Sequence, residues 1–209
     1  MISLTTRLAA GVAAVIAAAA LAACSSASTG MPAAPATPAA AAAHNATDVS
    51  FTSGIIRLED QARAVSGLVA THTGSTQLLG YATRLAADVS DFHRMSGMMA
   101  RWHQVMPSPY RPGAAMMGGT GPGMMSGHDW SGMQHRYGHE FIDHWVDAMM
   151  ANRSAELALC RHELRAGASP QARHLAQAML AERQAQLAQL QHWHHTMGHH
   201  GDHAEHSGH

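Results

Sequence analysis

The sequence predicts an all-α protein, an up-down-up-down four-helix bundle built from two repeated helical hairpins. Three observations predict it. Apolar residues recur at steps of three and four in four separate segments. Short breaks rich in Gly and Ser divide the first segment from the second and the third from the fourth. The second segment also lies on the fourth: Val89 falls on Leu180, Ser96 on Leu187, Met99 on Leu190 and Trp102-His103 on Trp193-His194.

The first helix covers about 48–70, with Phe51, Ile55, Leu58, Ala62, Val65 and Val69 on one stripe and Asn45 or Thr47 as its cap. Gly74 stops the pattern and Ser75 caps a second helix running to Trp102, striped by Leu78, Ala82, Leu85, Val89, Phe92, Ser96 and Met99. The third, entered by "HEFIDHWVDAMM", covers about 138–165. Gly167 is its stop, Ser169 the next cap and Pro170 the first residue of a fourth helix that reaches Met197. Short turns make sequential helices antiparallel neighbours, and a Met- and Gly-rich loop at 106–134 joins the two hairpins.

Ahead of this bundle (46–197) the chain reads as an export device. "MISLTTRLAAGVAAVIAAAALAACSS" has one cation, Arg7, before apolar residues 8–23, a stretch that suits a secretory signal better than a membrane span. It ends in Leu21-Ala22-Ala23-Cys24, which resembles a bacterial lipobox. The resemblance implies a signal at 1–23 and a Cys24 diacylated on its thiol. The body would then be held outside the cytoplasm on an envelope membrane. An uncleaved Ala-rich anchor is the alternative, and it puts the body on the same side. With Cys24 lipidated only Cys160 remains, so no intramolecular disulfide forms. The rest of 24–45 carries Pro32, Pro35 and Pro38 without apolar periodicity and reads as a tether.

Formal net charge is −1 and every basic residue is Arg, which argues against a nucleic-acid surface. The unusual feature is 18 His and 15 Met in a chain only 5% aromatic. In an up-down-up-down bundle the starts of helices one and three and the ends of two and four share one pole, and most of these ligands fall there. Thioethers select Cu(I), while imidazoles suit Cu(II), zinc and nickel, so the mixture outside the cytoplasm points to copper first. Met95, Met98 and Met99 can share a helix face near His103, either as ligands or as filling for the bundle end. Met116, Met117, Met124, Met125 and His128 lie among glycines in the loop, with no core to fill. His135, His139 and Asp143 form a stripe if the third helix begins early enough, against the plain alternative of a surface hydrogen bond. His192, His195 and His199 could align likewise. The tail 198–209, with His200 and His203, intersperses histidine with Gly, Asp, Glu and Ser. That pattern favours a native accessory arm open to zinc or nickel over a purification tag. Cys160 reads as a small core residue, and Glu59 and Glu156 as solvated or paired with Arg, with a ligand role as the alternative.

Enzyme signatures are sparse. No Glu has His three positions later, as a di-iron bundle needs. "HEFIDH" departs from the zinc-protease His-Glu-x-x-His by placing Asp143 at the second His, with His144 pointing elsewhere.

The stretches "HNATDVSF", "FIDHWVDAMM" and "SPQARHLAQAMLAERQAQLAQLQHW" resemble the bacterial family known as domain of unknown function 305, over about 44–195. The resemblance implies a ferritin-like four-helix bundle, export and an association with copper. The family's mark is Met-Met-x-x-His-His in helices one and three. Here the second copy is Met149-Met150-Ala151-Asn152-Arg153-Ser154 and the first is Gly54-Ile55-Ile56-Arg57-Leu58-Glu59. The fold carries over; the inner histidine site does not. The sequence therefore predicts an envelope lipoprotein that binds or buffers copper at its pole, loop and tail. The alternatives are a structural or interaction bundle without metal and, third, an oxidase of cuprous or ferrous ion. It names no protein partner.

Overall fold

The computed structural model describes residues 43–111 and 121–197, with the side chain of Met197 left aside. Cys24, Met116, Met117, His199, His200 and His203 lie outside the described residues, as do the signal, most of the tether and the tail.

The described chain is all-helical: α1 (Ala46–Ser66), α2 (Val69–His72), α3 (Thr76–Ala87), α4 (Ser90–Arg101), α5 (Gly127–Gln134), α6 (Gly138–Ala166) and α7 (Pro170–Met197). The caps follow local chemistry. Asn45 closes α1 with a reciprocal capping box to Asp48. Ser75 accepts from the Leu78 amide, and Ser169 from that of Ala172.

Two of the expected helices are each broken. The first ends its main run at Ser66 and resumes as the short α2. The second divides at Asp88, whose backbone is extended and whose carboxylate accepts from both the amide and the hydroxyl of Ser90. That side-chain capping starts α4 afresh. At the end of α4, His103 sits at φ 56. Its amide donates to the Ala100 carbonyl and that of Gln104 to Met99, the paired bonds of a left-handed helix stop. The predicted loop contains α5, capped by Ser126.

Helix direction differs from the expected order. At the near end of the bundle, Asn45 donates to the Ala166 carbonyl, His44 stacks on Trp102, and Arg101 donates to Gln171. At the far end, a His72 ring nitrogen lies 3.2 Å from the Gln134 carbonyl, His72 stacks on Tyr137, and Tyr81 packs edge-on against Trp193. Thus α1 and α7 run one way while α3–α4 and α6 run the other. The order is up-down-down-up, and the crossover between hairpins travels from the near end to the far end. One long crossover is the ferritin-like connection.

Two apolar clusters make the core. The near one gathers Phe51, Ile55, Met95, Met98, Met99, Cys160 and Met179; the far one gathers Val65, Leu78, Tyr81, Trp145, Met149 and Trp193. The crossover roofs the far cluster with Met125, Trp130 and Met133. Among the described residues, no helix is long and apolar enough to cross a membrane.

Candidate metal site and the charged centre of the bundle

Between the two apolar clusters lies a layer of charge. Arg153 and Glu156 are fully buried and Arg183 nearly so. Arg153 Nη1 reaches Glu156 Oε2 at 2.6 Å and Glu59 Oε1 at 3.3 Å. Arg183 donates through Nε to the same Glu156 oxygen at 2.6 Å, through Nη2 to Glu59 Oε1 at 2.6 Å, and through Nη1 to Glu182 at 2.7 Å. Burial pushes the Glu156 carboxyl up, against the pull of Arg153 and Arg183. Burial would discharge the two guanidinium groups, but Glu156 and Glu59 hold their protons more tightly than usual. Asn152 donates to the Leu58 carbonyl and ties α6 to α1 at this level.

Arg153 and Glu59 stand at two of the four histidine positions that the family resemblance implies, with Leu58 and Ser154 at the others. Their guanidinium and carboxylate meet at the bundle centre, so cationic side chains fill the space between the helices. Glu59 and Glu156 are paired with Arg, one of the three readings drawn from sequence. Cys160 is a core residue, and burial pushes its thiol up to about 12.

Among the described residues, the candidate ligands do not gather at one pole. Met95, Met98 and Met99 are buried near-end packing, and the Thr52 hydroxyl donates to the Met99 sulfur at 3.1 Å. His103 is exposed at the near end, where it serves as a backbone stop. His135, His139, His192 and His195 are exposed at the far end. The expected His135–His139–Asp143 stripe does not form. α5 ends at Gln134, Gly138 takes φ 59, and His135 Nδ1 lies 2.7 Å from the Ser131 carbonyl behind it.

The crossover does bring soft and imidazole donors together. A cavity of about 420 Å³ is lined by Met124, Met125, Met133, His128, His144 and Asp147, with Arg136 and Asp129 also on its wall. Its geometry starts at Gln61, whose amide donates to the Gly123 carbonyl at 3.0 Å and accepts from the Met125 amide at 2.5 Å. Gly123 sits at φ 78 with its α-carbon so close to Ala155 and the Ala151 carbonyl that a side chain would collide with both. These contacts press the segment onto α6 and set Met124 beside it. α5 then carries His128 across the same wall. Met125 and Met133 are buried and so also fill core, contrary to the expectation that loop methionines had none to fill; Met124 is half-buried. His144, Asp147, Ala148 and Ala151 form the α6 side. His144 lies off the His139–Asp143 face, as expected, and its steps of three to Asp147 and seven to Ala151 place these on one helix face. Asp147 also lies 3.4 Å from His194 Nε2. Among the described residues, no three His, Cys, Asp or Glu side chains converge closely enough to hold a metal unaided.

A family model described as a domain of unknown function, DUF305, matches residues 48–194. Two solved structures share the fold. One is a DUF305 candidate secreted protein from Streptomyces coelicolor, 15% identical with a TM-score of 0.60, covering 73% of this chain and 92% of that one. The other is a DUF305 fragment from Deinococcus radiodurans, 17% identical with a TM-score of 0.59, covering 74% and 97%. No curated protein matches the chain.

Proposed function

Because this chain belongs to the DUF305 family, whose name records no activity, we propose from its own side chains that it binds or buffers Cu(I) in the cell envelope. The observation that carries the reading is the cavity under the crossover, where three thioethers and two imidazoles share one wall. Thioethers are neutral and soft, so they suit a monovalent soft ion. Asp129 and Asp147 on the same wall favour a cation over an anion, and Arg136 is paired with Glu140. Asp147 and His194 give the cavity an imidazole-bearing margin toward the end of α7, from which the His-rich tail continues. The tail is then an accessory arm that takes up copper, zinc or nickel.

Export rests on the N-terminal pattern and on the description of the Streptomyces relative as a candidate secreted protein. Lipidation of Cys24 rests on Leu21-Ala22-Ala23-Cys24 and would hold the bundle to an envelope membrane. Binding is favoured over catalysis because the charged centre of the bundle is occupied by paired arginines.

The test is a Cu(I) titration of the chain from residue 25, against a competing chromogenic chelator. Truncation after residue 197 should leave tight binding intact. Met124→Leu, Met125→Leu and His128→Ala together should weaken it by roughly a hundredfold or more, since Leu keeps the volume and removes the donor. Cu(I) affinity that ignores these three changes, or that vanishes with the tail, would overturn the assignment.

A further inference from the structure

A second cavity, of about 250 Å³, lies under the α3–α4 corner and is unrelated to the thioether wall. Its floor is Glu59, Tyr81 and Arg183, all buried, and its rim includes Arg84, Asp88 and Glu182. We propose that it binds a small organic cation of the alkyl-diamine class.

The argument begins with the charges. Four carboxylates line the space, from Glu59, Asp88, Asp91 and Glu182, against two guanidinium groups. Arg183 is already committed: Nε, Nη1 and Nη2 each donate to a carboxylate, Nη2 also lying 3.4 Å from Asp91. An anion would therefore find Arg84 alone at the rim and four negative groups around it. A cation finds the reverse.

The second observation is independent of charge. Tyr81 is only 5% exposed, its ring is held edge-on by Trp145 and Trp193, and its hydroxyl, with the Arg153 guanidinium nearby, makes no well-formed hydrogen bond. Gln186 Oε1, on the same lining, is buried and unpartnered as well. Both ion pairs of Glu59 use Oε1, which leaves Oε2 for another donor. An unmade buried hydrogen bond is costly, so these acceptors select a ligand rich in N–H donors. Leu85 and Phe92 complete the wall with apolar surface suited to a short methylene chain. The volume falls below the ~300–1,000 Å³ usual for drug-sized ligands, so the ligand is small. A bare metal ion fits less well, because no three carboxylates or imidazoles among the described residues converge at coordinating distance.

The assignment goes beyond the copper reading and is tested apart from it. The chain from residue 25, kept metal-free by chelation, is titrated calorimetrically with 1,4-diaminobutane. Saturable one-to-one binding that weakens about tenfold in Tyr81→Phe, and similarly in Asp91→Asn, is the expected result. Should Asp91→Asn lower the thermal midpoint so far that the protein unfolds, Asp88→Asn at the exposed rim replaces it, with a smaller loss expected. No saturable binding, equal binding by wild type and Tyr81→Phe, or preference for inorganic phosphate would each overturn the proposal. Displacement of the diamine by millimolar Mg²⁺ at constant ionic strength would make it a hydrated-cation site and overturn the organic assignment.

Discussion

Asp48 and Glu163 form a buried acid pair where the start of α1 meets the α6–α7 turn. Asp48 accepts from the amides of Asn45 at 2.6 Å, Ser169 at 2.8 Å and Ala168 at 3.2 Å. Burial opposes its charge, but these bonds and one from Glu163 together hold its carboxyl below the ordinary range. Glu163 is fully buried and lies against Gly167 so closely that no side chain fits there. Burial, then the hydrogen bond and charge of Asp48, push its carboxyl up to about 8, while Arg173 pulls weakly the other way. Glu163 therefore keeps its proton at neutral pH while Asp48 is ionised. For Glu163 the folded state holds the proton more tightly than the unfolded chain does. Its contribution is fully present below about 4.5, the ordinary value, and is lost as pH rises through about 8. Asp48 acts in the opposite sense, its contribution being present above 3.8 and lost as pH falls through its depressed value. Urea midpoints measured from pH 5 to 9 should accordingly fall, by an amount on the order of a few kcal/mol in unfolding free energy. Glu163→Gln, which keeps a donor toward Asp48, should flatten the curve. A wild-type midpoint constant across that range would refute the raised Glu163 carboxyl. None of this was visible in the sequence, because Asp48 reads as an ordinary first-turn acid and Glu163 as a last-turn surface residue.

Helix identity was legible, and what interrupts the helices was not. The third and fourth segments stand within a residue or so of where apolar spacing placed them, with Gly167, Ser169 and Pro170 between. The second continued its stripe through Val89, so periodicity saw one helix where Asp88 and Ser90 make two. Side-chain capping at an internal Asp is a local competition that the apolar pattern cannot report. The same break opens the wall of the smaller cavity, since Asp88 and Asp91 flank it. The charged layer was half legible: Arg153 and Glu156 stand one helical turn apart, but the meeting with Glu59 and Arg183 comes only from packing four helices. Four elements thus depend on Arg153 and Arg183 having carboxylates to face. Arg153→Met should destabilise the domain by about 3–5 kcal/mol, because Glu156 then stays buried with half its compensation gone. Adding Glu156→Gln should restore a large part of that loss by removing the stranded charge. The check is urea unfolding of both variants; a double variant no more stable than the single one would show that lost volume, not charge, is responsible.

At the scale of the whole molecule, the internal repeat was read correctly and its consequence was not. The hairpins α1–α4 and α6–α7 run in opposite senses, so residues equivalent by repeat lie at opposite ends: Trp102 stacks with His44 at the near end, and Trp193 meets Tyr81 at the far one. A connection as long as 102–137 can return to the pole it left or cross to the other, and its length alone does not choose. Here α5 and the Gln61 clamp lay it along α6, and the histidines and methionines that sequence gathered at one tip are divided between two. At ~1.5 Å per residue, the 28 residues of α7 separate those ends by ~40 Å, too far for near-end and far-end donors to share an ion. The division has a measurable consequence. His44→Ala with His103→Ala alters two exposed near-end imidazoles and leaves the thioether cavity untouched, so Cu(I) affinity and stoichiometry of the tail-less chain should stay within about twofold of the parent. His128→Ala with His144→Ala removes both imidazoles from the cavity wall and should weaken Cu(I) binding about tenfold or more while the unfolding midpoint stays near its parent value, since both side chains are exposed. A near-end pair that mattered as much as the cavity pair would mean that copper bridges separate molecules or that the bundle closes differently in solution. Chelator competition on the two double variants, read together with their mass in solution, separates those outcomes from the expected one.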